Sequence, residues 1–402
     1  MDKYHITPRK YRPKTFSEVI GQDATTKTLK NAIRTGHLSH AYLFSGTRGT
    51  GKTTLARIFA KALNCIERQG EEPCNVCTSC LEISQGASLD VIEIDGASNR
   101  GIEDIRQITE NAGYATASGK NRIYIIDEVH MLTKEAFNAL LKTLEEPPQN
   151  VKFFFATTEP HKVLQTILSR CQRFDLKRIQ DSAIVSSLKN IADAESISIE
   201  DKALELIAHL SEGSLRDAQS LFDQMVCLGE QPITASLVQE TLGLPSESLL
   251  KEVEAALLSG NIGEAKPLTD KLYASGKDLT AFLETLASYF LGKTPFSRGQ
   301  VLDSLNLITT ALSDIYKIPF KKIHIEILLT SLIANLHKPS IHTLVERLEA
   351  LQQKAPTPSV PPQEKVEPQP IPPPAPAPVV QKNDYDRLLQ FTAVELNGSI
   401  LK

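Results

Sequence analysis

The sequence predicts an α/β domain with a parallel sheet, followed by two helical regions and a proline-rich tether. First, near-continuous apolar runs alternate with helical periods between residues 38 and 176, as in strands buried on both faces of a parallel sheet. Second, helical spacing alone continues from 180 to 350. Third, 11 of the 23 prolines lie in the 24 residues from Ala355 to Pro378.

These patterns divide the chain into five segments. Short apolar runs mark four candidate strands, over 41–45, 90–95, 122–127 and 151–157. Apolar residues at helical spacing, such as Leu204, Ile207 and Leu210, replace them later in the chain. Proline lacks a backbone donor and fixes φ, so the proline-rich stretch is predicted to be an extended tether. We expect an α/β domain over 1–178, a small helical domain over 179–243, a larger helical domain over 244–350, a proline-rich linker over 351–383 and a short tail over 384–402.

Composition excludes several classes of protein. The 402 residues include 44 Lys and Arg against 48 Asp and Glu, so any nucleic-acid contact must come from a local basic patch. No run approaches the roughly 18 apolar residues of a spanning helix, and residues 1–5 lack the apolar centre of a signal peptide. Six cysteines without such a signal indicate a reducing compartment. We therefore expect a cytoplasmic, multidomain protein that contacts no membrane.

A glycine-rich loop follows the first candidate strand. Residues 46–53 match the spacing G-x-x-x-x-G-K-[ST], and a helix is predicted to begin near Thr53. Such glycines let backbone N–H groups surround phosphates at the positive end of a helix. Lys52 is expected to reach the β- and γ-phosphates of ATP, and the Thr53 hydroxyl to complete a Mg²⁺ shell. The nucleotide contacts expected from this loop are Gly46, Thr47, Arg48, Gly49, Thr50, Gly51, Lys52, Thr53 and Thr54.

Acidic residues follow the third candidate strand. Parallel strands end at one edge of the sheet, so Asp127 is expected to hold Mg²⁺ through water beside the loop. Glu128 is then placed to polarise the attacking water as a general base. Thr157, at the end of the fourth strand, is a candidate hydroxyl that senses the γ-phosphate, although Thr is a common strand residue. For Asp127 and Glu128 the alternative is that the third strand simply ends in two solvated carboxylates without a catalytic role. The neighbouring His130 is assigned no role.

Four of the six cysteines form a cluster with the spacing C-x8-C-x2-C-x2-C: Cys65, Cys74, Cys77 and Cys80. Four thiolates within 16 residues suit a closed tetrahedral Zn²⁺ site, which would be structural because no coordination position stays open. Iron–sulfur clusters also use four cysteines, but with other common spacings. Free structural thiols are the remaining alternative. Cys171 and Cys227 stand alone and are expected to be buried, small apolar residues.

Taken together, the motifs resemble those of the AAA+ ATPases, and more narrowly those of the gamma/tau subunit family of the bacterial DNA polymerase III clamp loader. The resemblance covers about residues 4–220 and extends with less specific sequence through the helical region and the tether. It rests on the phosphate loop, the four cysteines and six further stretches in one order, at 12–16, 19–22, 126–130, 144–148, 169–171 and 213–218.

The resemblance implies roles that spacing alone does not. It implies a P-loop ATPase module over 1–178, a lid over 179–243 and an oligomeric collar over 244–350. Arg170 would be an arginine finger that completes the ATP site of a neighbouring subunit. Arg216 would be a second sensor that approaches the γ-phosphate from the lid. The residues implied to border the adenine are Tyr11, Arg12, Val19 and Ile20.

The resemblance also implies an activity, that of an ATPase within the DNA polymerase III holoenzyme without a polymerase active site of its own. ATP binding would open the ring-shaped sliding clamp on primed DNA, and hydrolysis would release the clamp. The implied partners are other clamp-loader subunits, the sliding clamp, primed DNA and, through other subunits, single-stranded-DNA-binding protein. Sequence-independent loading suits phosphate contacts. Arg100 and Lys142 are candidates for these, against the alternative of solvated surface charges.

Other functions are weighed against this one. The main alternative is a stand-alone AAA+ DNA remodeller, which would need neither the cysteine cluster nor a collar. A scaffold that binds ATP without turnover is disfavoured, because such a site usually lacks one of the catalytic groups. A polymerase is disfavoured because no second acidic group suits two-metal chemistry. Only 384–402 follow the tether, so the resemblance is to the short, gamma-like form of the family.

Overall fold

The computed structural model describes residues 7–111, 116, 120–292 and 296–337, which belong to one compact unit ending at Lys338. The predicted tether and tail lie outside the described residues, as does the end of the predicted third domain. Within the described part of the chain, no helix is long and apolar enough to cross a bilayer.

A five-stranded parallel sheet forms the centre of the first region. Its strands stand in the order β2-β3-β4-β1-β5, and every neighbouring pair is parallel. Ser45 lies beside Thr157 and Asp95 beside Asp127, so the carboxyl ends of the strands share one edge. The strands are β1 Ala41–Ser45, β2 Val91–Asp95, β3 Arg122–Asp127, β4 Val151–Thr157 and β5 Gln172–Asp175.

The four predicted strands are confirmed, and β2 begins one residue later than expected. The sequence analysis does not predict β5, because Gln-Arg-Phe-Asp contains a single apolar residue. Phe174 is buried while the other three side chains are exposed, which suits an edge strand that pairs with β1 alone. Edge strands carry less of the apolar signal on which strand prediction depends.

Helices cover both faces of the sheet. Phe154 packs with Phe59 on one face, with ring centroids 5.0 Å apart, whereas Phe153 and Phe155 pack on the other face with the cluster that includes Phe137. Side chains alternate between faces along a strand, so both sets must be apolar. The helices of this region are α1 Thr7–Lys10, α2 Asp23–Thr35, α3 Lys52–Asn64, α4 Thr78–Gln85, α5 Ile102–Asn111, α6 Lys134–Glu145 and α7 Gln165–Leu168.

Two helical regions follow, each with a separate buried cluster. In the first of these regions, Ile184, Leu204 and Phe222 pack together, and in the second Phe282, Ile308 and Leu332 do so. The predicted boundaries at 178 and 243 stay predictions. The helices are α8 Asp181–Glu195, α9 Asp201–Leu210, α10 Leu215–Cys227, α11 Ala235–Thr241, α12 Glu247–Ser259, α13 Ala265–Ala274, α14 Leu279–Leu291, α15 Arg298–Asp314 and α16 Lys321–Leu336.

The prediction for the two isolated cysteines is wrong for Cys227, which is exposed, and Cys171 is only partly buried. Cys227 ends α10 two residues after the fully buried Met225. Two residues correspond to about 200° around a helix, so the two side chains point to opposite sides.

Candidate functional site

The candidate site lies where the sheet order reverses. β1 and β4 are neighbours in the sheet. After β1 the chain runs to β2 on one side, and after β4 it runs to β5 on the other side. Ligands of open parallel sheets bind in the crevice at such a switch point, outside the carboxyl ends of the strands. The phosphate loop follows β1, and the acidic pair Asp127 and Glu128 lies at the end of β3.

The phosphate loop depends on glycine where the backbone is left-handed. Gly49 has φ +77° and Gly51 has φ +100°, and α3 begins directly after Gly51 at Lys52. Glycine adopts such angles without the steric cost that a Cβ would add. The turn places the start of α3 at this crevice, and a helix N-terminus there favours negative charge.

Lys52 is held by the loop itself. Its side chain is buried, and Nζ donates to the carbonyl oxygens of Gly46 and Thr47, both at 3.0 Å. Burial lowers the pKa of Lys52, while the carboxylates of Glu128 and Asp127 oppose that shift. The ammonium therefore sits in a cradle of neutral carbonyls, where a phosphate would supply the opposite charge that the backbone does not.

Asp127 and Thr53 meet across the crevice. Thr53 Oγ1 donates to Asp127 Oδ2 at 2.8 Å, and the Glu128 N–H donates to Asp127 Oδ1 at 3.0 Å. A hydroxyl and a carboxylate at this distance form the oxygen donor pair that Mg²⁺ takes from a phosphate loop and the neighbouring strand. The two residues therefore fit a Mg²⁺ ion that accompanies a bound polyphosphate.

Glu128 is fixed by its neighbours. Its φ of +45° is left-handed, an uncommon conformation for a residue other than glycine and one that costs free energy. Its Oε2 accepts from the Thr158 N–H at 3.1 Å and from Thr158 Oγ1 at 3.0 Å, and His130 Nδ1 lies 3.3 Å away. The carboxylate is thus held by hydrogen bonds to Thr158 beside the crevice.

Thr157 is completely buried and faces a different partner. Its Oγ1 lies 2.9 Å from His130 Nδ1 and accepts from the Glu159 N–H at 3.0 Å. The residue predicted to sense the γ-phosphate thus contacts His130, which is itself next to Glu128. The sequence analysis assigns no role to His130 and does not single out Thr158, although each lies next to or near a predicted residue in the chain.

A cavity of about 900 Å³ opens along the phosphate loop between the sheet and the first helical region, α8–α11. Among the described residues that line it, six cations face two carboxylates, those of Asp127 and Glu128. Burial lowers the pKa of Arg12, and its positively charged neighbour Arg57 lowers it further. Such an excess of positive charge suits a polyanion. The six cations are Arg9, Arg12, Arg48, Lys52, Arg57 and Arg216.

Most predicted nucleotide contacts lie together in this lining. They include Arg12, Val19, Ile20, the loop residues Arg48, Gly49, Thr50, Gly51, Lys52, Thr53 and Thr54, the acidic pair and Arg216. Predicted residues of the described chain that lie outside the lining are Tyr11, Gly46, Thr47, Thr157 and Arg170. Tyr11 instead donates its hydroxyl to the Glu195 carboxylate and packs against the core of the first helical region.

Arg170 lies apart from the cavity of its own chain. Its Nη2 pairs with Glu145 Oε1 at 2.7 Å, and its Nη1 donates to the Thr166 carbonyl at 2.7 Å. One third of the side chain remains exposed. The guanidinium is therefore held by α6 and α7 and is not directed at the phosphate loop.

Several lining residues escaped the sequence analysis. Arg57 lies one helical turn after Thr53 on α3, so helical spacing from the phosphate loop could have found it. Its Nε and Nη2 donate to the two oxygens of the Glu93 carboxylate, at 2.5 and 2.6 Å. Ser84, Gln85 and Gly86, at the end of α4, also line the cavity, and no sequence signal connects them to the loop.

The four clustered cysteines converge in space. Their sulfur atoms all lie within 4.8 Å of one another, with Cys65 and Cys77 at 3.9 Å and Cys74 and Cys80 at 4.0 Å. Zn–S bonds of about 2.3 Å in a tetrahedron place sulfurs about 3.8 Å apart. The four thiols therefore fit a structural Zn²⁺ ion.

Comparison with known proteins identifies the same regions. A family model described as "DNA polymerase III, delta subunit" matches residues 21–180, and one described as "DNA polymerase III clamp loader subunit, ATPase lid domain" matches residues 183–231. The chain is 46% identical over 287 residues to DNA polymerase III subunit tau of Bacillus subtilis, covering 71% of this chain and 51% of that protein. It is 45% identical over 280 residues to subunit tau of Escherichia coli, covering 70% and 44%.

A shorter relative is matched over more of its own length. DNA polymerase III subunit gamma of Buchnera aphidicola subsp. Baizongia pistaciae is 46% identical over 259 residues, 64% of this chain and 70% of that protein. By contrast, the matching part spans only about half the length of the two tau subunits.

Among solved structures, the branch-migration motor RuvB of Thermotoga maritima matches 71% of this chain and 93% of its own. Its identity is 23% and its TM-score 0.45, a value too low to bear on the function. The sequence relatives show the family: the chain belongs to the gamma and tau subunits of DNA polymerase III.

Proposed function

We propose that the chain is an ATP-hydrolysing subunit of a DNA polymerase III clamp loader. ATP binding would open the sliding clamp on primed DNA, and hydrolysis would release it. One observation carries the proposal: the phosphate loop, the acidic pair and Arg216 converge on one cavity with an excess of positive charge. Family membership and the matched lid model add support, since the model's description names a clamp loader and an ATPase lid.

Binding depends on the charge of the phosphates. The N–H groups of the loop and the start of α3 would surround the β- and γ-phosphates, and Lys52 would exchange its carbonyl partners for phosphate oxygens. Arg216 would approach from α10. Thr53 and Asp127 would hold Mg²⁺, which when bound neutralises charge on the phosphates. The apolar side chains of Val19 and Ile20 line the same cavity and would border the adenine.

Hydrolysis requires a base for the attacking water. Glu128 would accept a proton from that water, and Thr158 would set the direction of its carboxylate. Thr157 would act on Glu128 through His130, because its hydroxyl contacts the imidazole. Thr157 would therefore affect hydrolysis only indirectly, through His130 and Glu128.

Arg170 would serve a neighbouring subunit. It lies outside the cavity of its own chain and keeps one third of its side chain exposed, so a second subunit could present its own phosphates to it. An arginine supplied in trans makes hydrolysis depend on correct packing of subunits. DNA that tightens the assembly would thereby start hydrolysis. This requires a hetero-oligomer with other clamp-loader subunits.

The remaining assignments concern metal, clamp and DNA. Cys65, Cys74, Cys77 and Cys80 would hold Zn²⁺ in a closed structural site. Arg100 and Lys142 are both exposed, as contacts with DNA phosphates require. The sliding clamp, primed DNA and, through other subunits, single-stranded-DNA-binding protein would be the partners.

ATP hydrolysis by the chain, alone and then with partner subunits, sliding clamp and primed DNA, tests the proposal. Strong stimulation in the complete mixture alone would support a clamp loader whose sites are shared between subunits. Equal rates in every mixture would contradict it and favour a stand-alone DNA remodeller. A mixture without DNA separates subunit assembly from the stimulation by DNA.

A further inference from the structure

One wall of the nucleotide cavity comes from an N-terminal segment that precedes the sheet. Within residues 8–20, six side chains line the cavity: Pro8, Arg9, Arg12, Pro13, Val19 and Ile20. Between Arg12 and Ile20 the segment is mostly irregular, with one short 3-10 turn at Phe16–Glu18, so few hydrogen bonds of its own maintain its shape. We call residues 8–20 the wall segment.

The wall segment is tied to the cysteine module, here residues 65–86. Glu72 of the module accepts from the Phe16 N–H at 2.8 Å and from the Ser17 N–H at 3.2 Å. The same carboxylate pairs with Lys30 Nζ on α2 at 2.6 Å. N–H groups at the start of the 3-10 turn thus find an acceptor on a side chain 55 residues away in sequence.

Glu72 is itself held in place within the module. It pairs with Gln69 through two backbone hydrogen bonds, of 3.1 and 3.2 Å, across a turn that contains the left-handed Gly70. The carboxylate therefore projects from a closed turn and not from a free loop. Two residues later the chain reaches Cys74.

A buried lysine makes a second connection. Lys61, on the helix that begins at the phosphate loop, donates to the carbonyl of Lys14 at 3.0 Å and to Asn75 Oδ1 at 2.6 Å. One ammonium thus joins α3, the wall segment and the module. Asn75 lies between Cys74 and Cys77, with a left-handed φ of +61°.

The module also reaches the cavity directly. The helix α4 carries Cys80, and its last residues, Ser84 and Gln85, line the cavity together with Gly86. Ile83 of the same helix is buried in the core that contains Phe16. The module and the wall segment are therefore packed on a common core and border one cavity.

We propose that Glu72 is a positioning residue for nucleotide binding: by holding the start of the 3-10 turn, it shapes the cavity wall between Arg12 and Ile20. This inference rests on the proposed function, because it takes the cavity to be the ATP site. It gives the cysteine module a role in nucleotide affinity in addition to stability. Glu72 lies outside the cavity lining, so its effect passes through the wall segment.

Affinity for a fluorescent ATP analogue, measured by titration of the full chain, tests the role. Glu72→Ala is expected to weaken binding about tenfold, because two N–H groups and an ammonium lose a charged acceptor. Glu72→Gln keeps an acceptor oxygen and should recover most of the affinity. The control is Glu71→Gln, which removes the same charge from the preceding residue. The Glu71 side chain makes no hydrogen bond or ion pair among the described residues, so this variant should bind the analogue as tightly as wild type does.

Steady-state hydrolysis in the complete mixture gives a second readout. A positioning role raises KM for Glu72→Ala and leaves kcat within about twofold. Equal affinity of Glu72→Ala and wild type would overturn the inference. If Glu72→Ala fails to fold, Glu72→Asp takes its place, because it keeps the charge but shortens the side chain that reaches the Phe16 and Ser17 N–H groups. Wild-type affinity in Glu72→Asp together with a lowered thermal midpoint would overturn the inference, because the residue would then be structural alone.

The experiments distinguish a failure of the proposed function from a failure of the role of Glu72. If Lys52→Ala binds the analogue as tightly as wild type, the cavity is not the ATP site and the proposed function fails. If Lys52→Ala loses binding while Glu72→Ala keeps it, the proposed function stands and the role of Glu72 alone is wrong.

Discussion

The phosphate loop packs against the first helical region, which contains α10, at Gly49, and the contact leaves no space for a side chain there. A Cβ at Gly49 would overlap Ser214 Oγ, lie 2.9 Å from Ser214 Cβ and lie 3.4 Å from Arg216 Cβ. Ser214 is the N-cap of α10, and its Oγ accepts from the Asp217 N–H at 3.2 Å. The substitution Gly49→Ala therefore forces the loop, the cap or the whole of α10 to move.

The magnitude follows from three terms. Alanine at φ +77° costs about 1 kcal/mol relative to glycine. Turning Ser214 away loses its cap, at a further cost of about 1 kcal/mol, and residual overlap adds about 1 kcal/mol. If α10 instead moves outward, Arg216 leaves the cavity. Either way we expect ATP affinity to fall by about tenfold or more, since 1.4 kcal/mol corresponds to a factor of ten.

The assay is equilibrium ATP binding together with the thermal midpoint. The matched control is Gly36→Ala, because Gly36 has φ +73° but nothing within 4 Å of its Cβ position. That variant should lower the midpoint slightly and leave ATP affinity unchanged. Gly49→Ala combined with Ser214→Gly should recover affinity, because glycine also serves as an N-cap. Equal ATP affinity in Gly49→Ala and Gly36→Ala would refute the reasoning.

Three further predictions concern the proposed catalytic residues and the proposed Zn²⁺ site. Glu128→Gln should retain ATP binding and lose about 10² to 10⁴ in hydrolysis rate, as removal of a general base does; a normal rate in single-turnover assays would exclude that role. Arg170→Ala should leave binding intact and lower turnover by about 10³ or more in assemblies that carry only this variant; normal turnover there would contradict a finger acting in trans. The purified chain should contain one Zn²⁺ per molecule by elemental analysis, and Cys77→Ser should lower both metal content and thermal midpoint; a full metal content would contradict a four-cysteine site.

Much of the first region could be predicted because its signals are local. Strands β1 and β4 are buried on both faces, so their sequences are continuous apolar runs. β5 has one buried residue and gives no such signal. The phosphate loop is equally local, since glycine, lysine and threonine lie within eight residues.

Long-range contacts of the site could not be predicted in the same way. Thr157 and His130 are 27 residues apart, and only the pairing of strands brings them together. The link between Glu72 and Phe16 spans 56 residues and involves a backbone N–H, which leaves no mark on the sequence. Arg57 is the exception, because it lies one helical turn after Thr53 on α3, and this spacing is visible in the sequence.

The cysteine cluster combines a local sequence signal with a contact that the sequence does not reveal. Its spacing predicts convergent thiols, and their sulfur atoms do lie within 4.8 Å of one another. The position of the end of α4 beside the cavity depends on how the module packs against the sheet, and buried residues such as Ile83 decide that packing. A motif can therefore indicate a metal site without indicating what the site supports.

The proposed function requires that the cavity at the phosphate loop binds ATP through Lys52. Equilibrium binding of ATP with Mg²⁺ to the wild-type chain and to Lys52→Ala tests it most directly. We predict one saturable site per chain, and affinity at least about 100-fold weaker in Lys52→Ala, because each hydrogen bond from a charged group contributes about 1.5 to 3 kcal/mol. Equal affinity in the two proteins would contradict the claim.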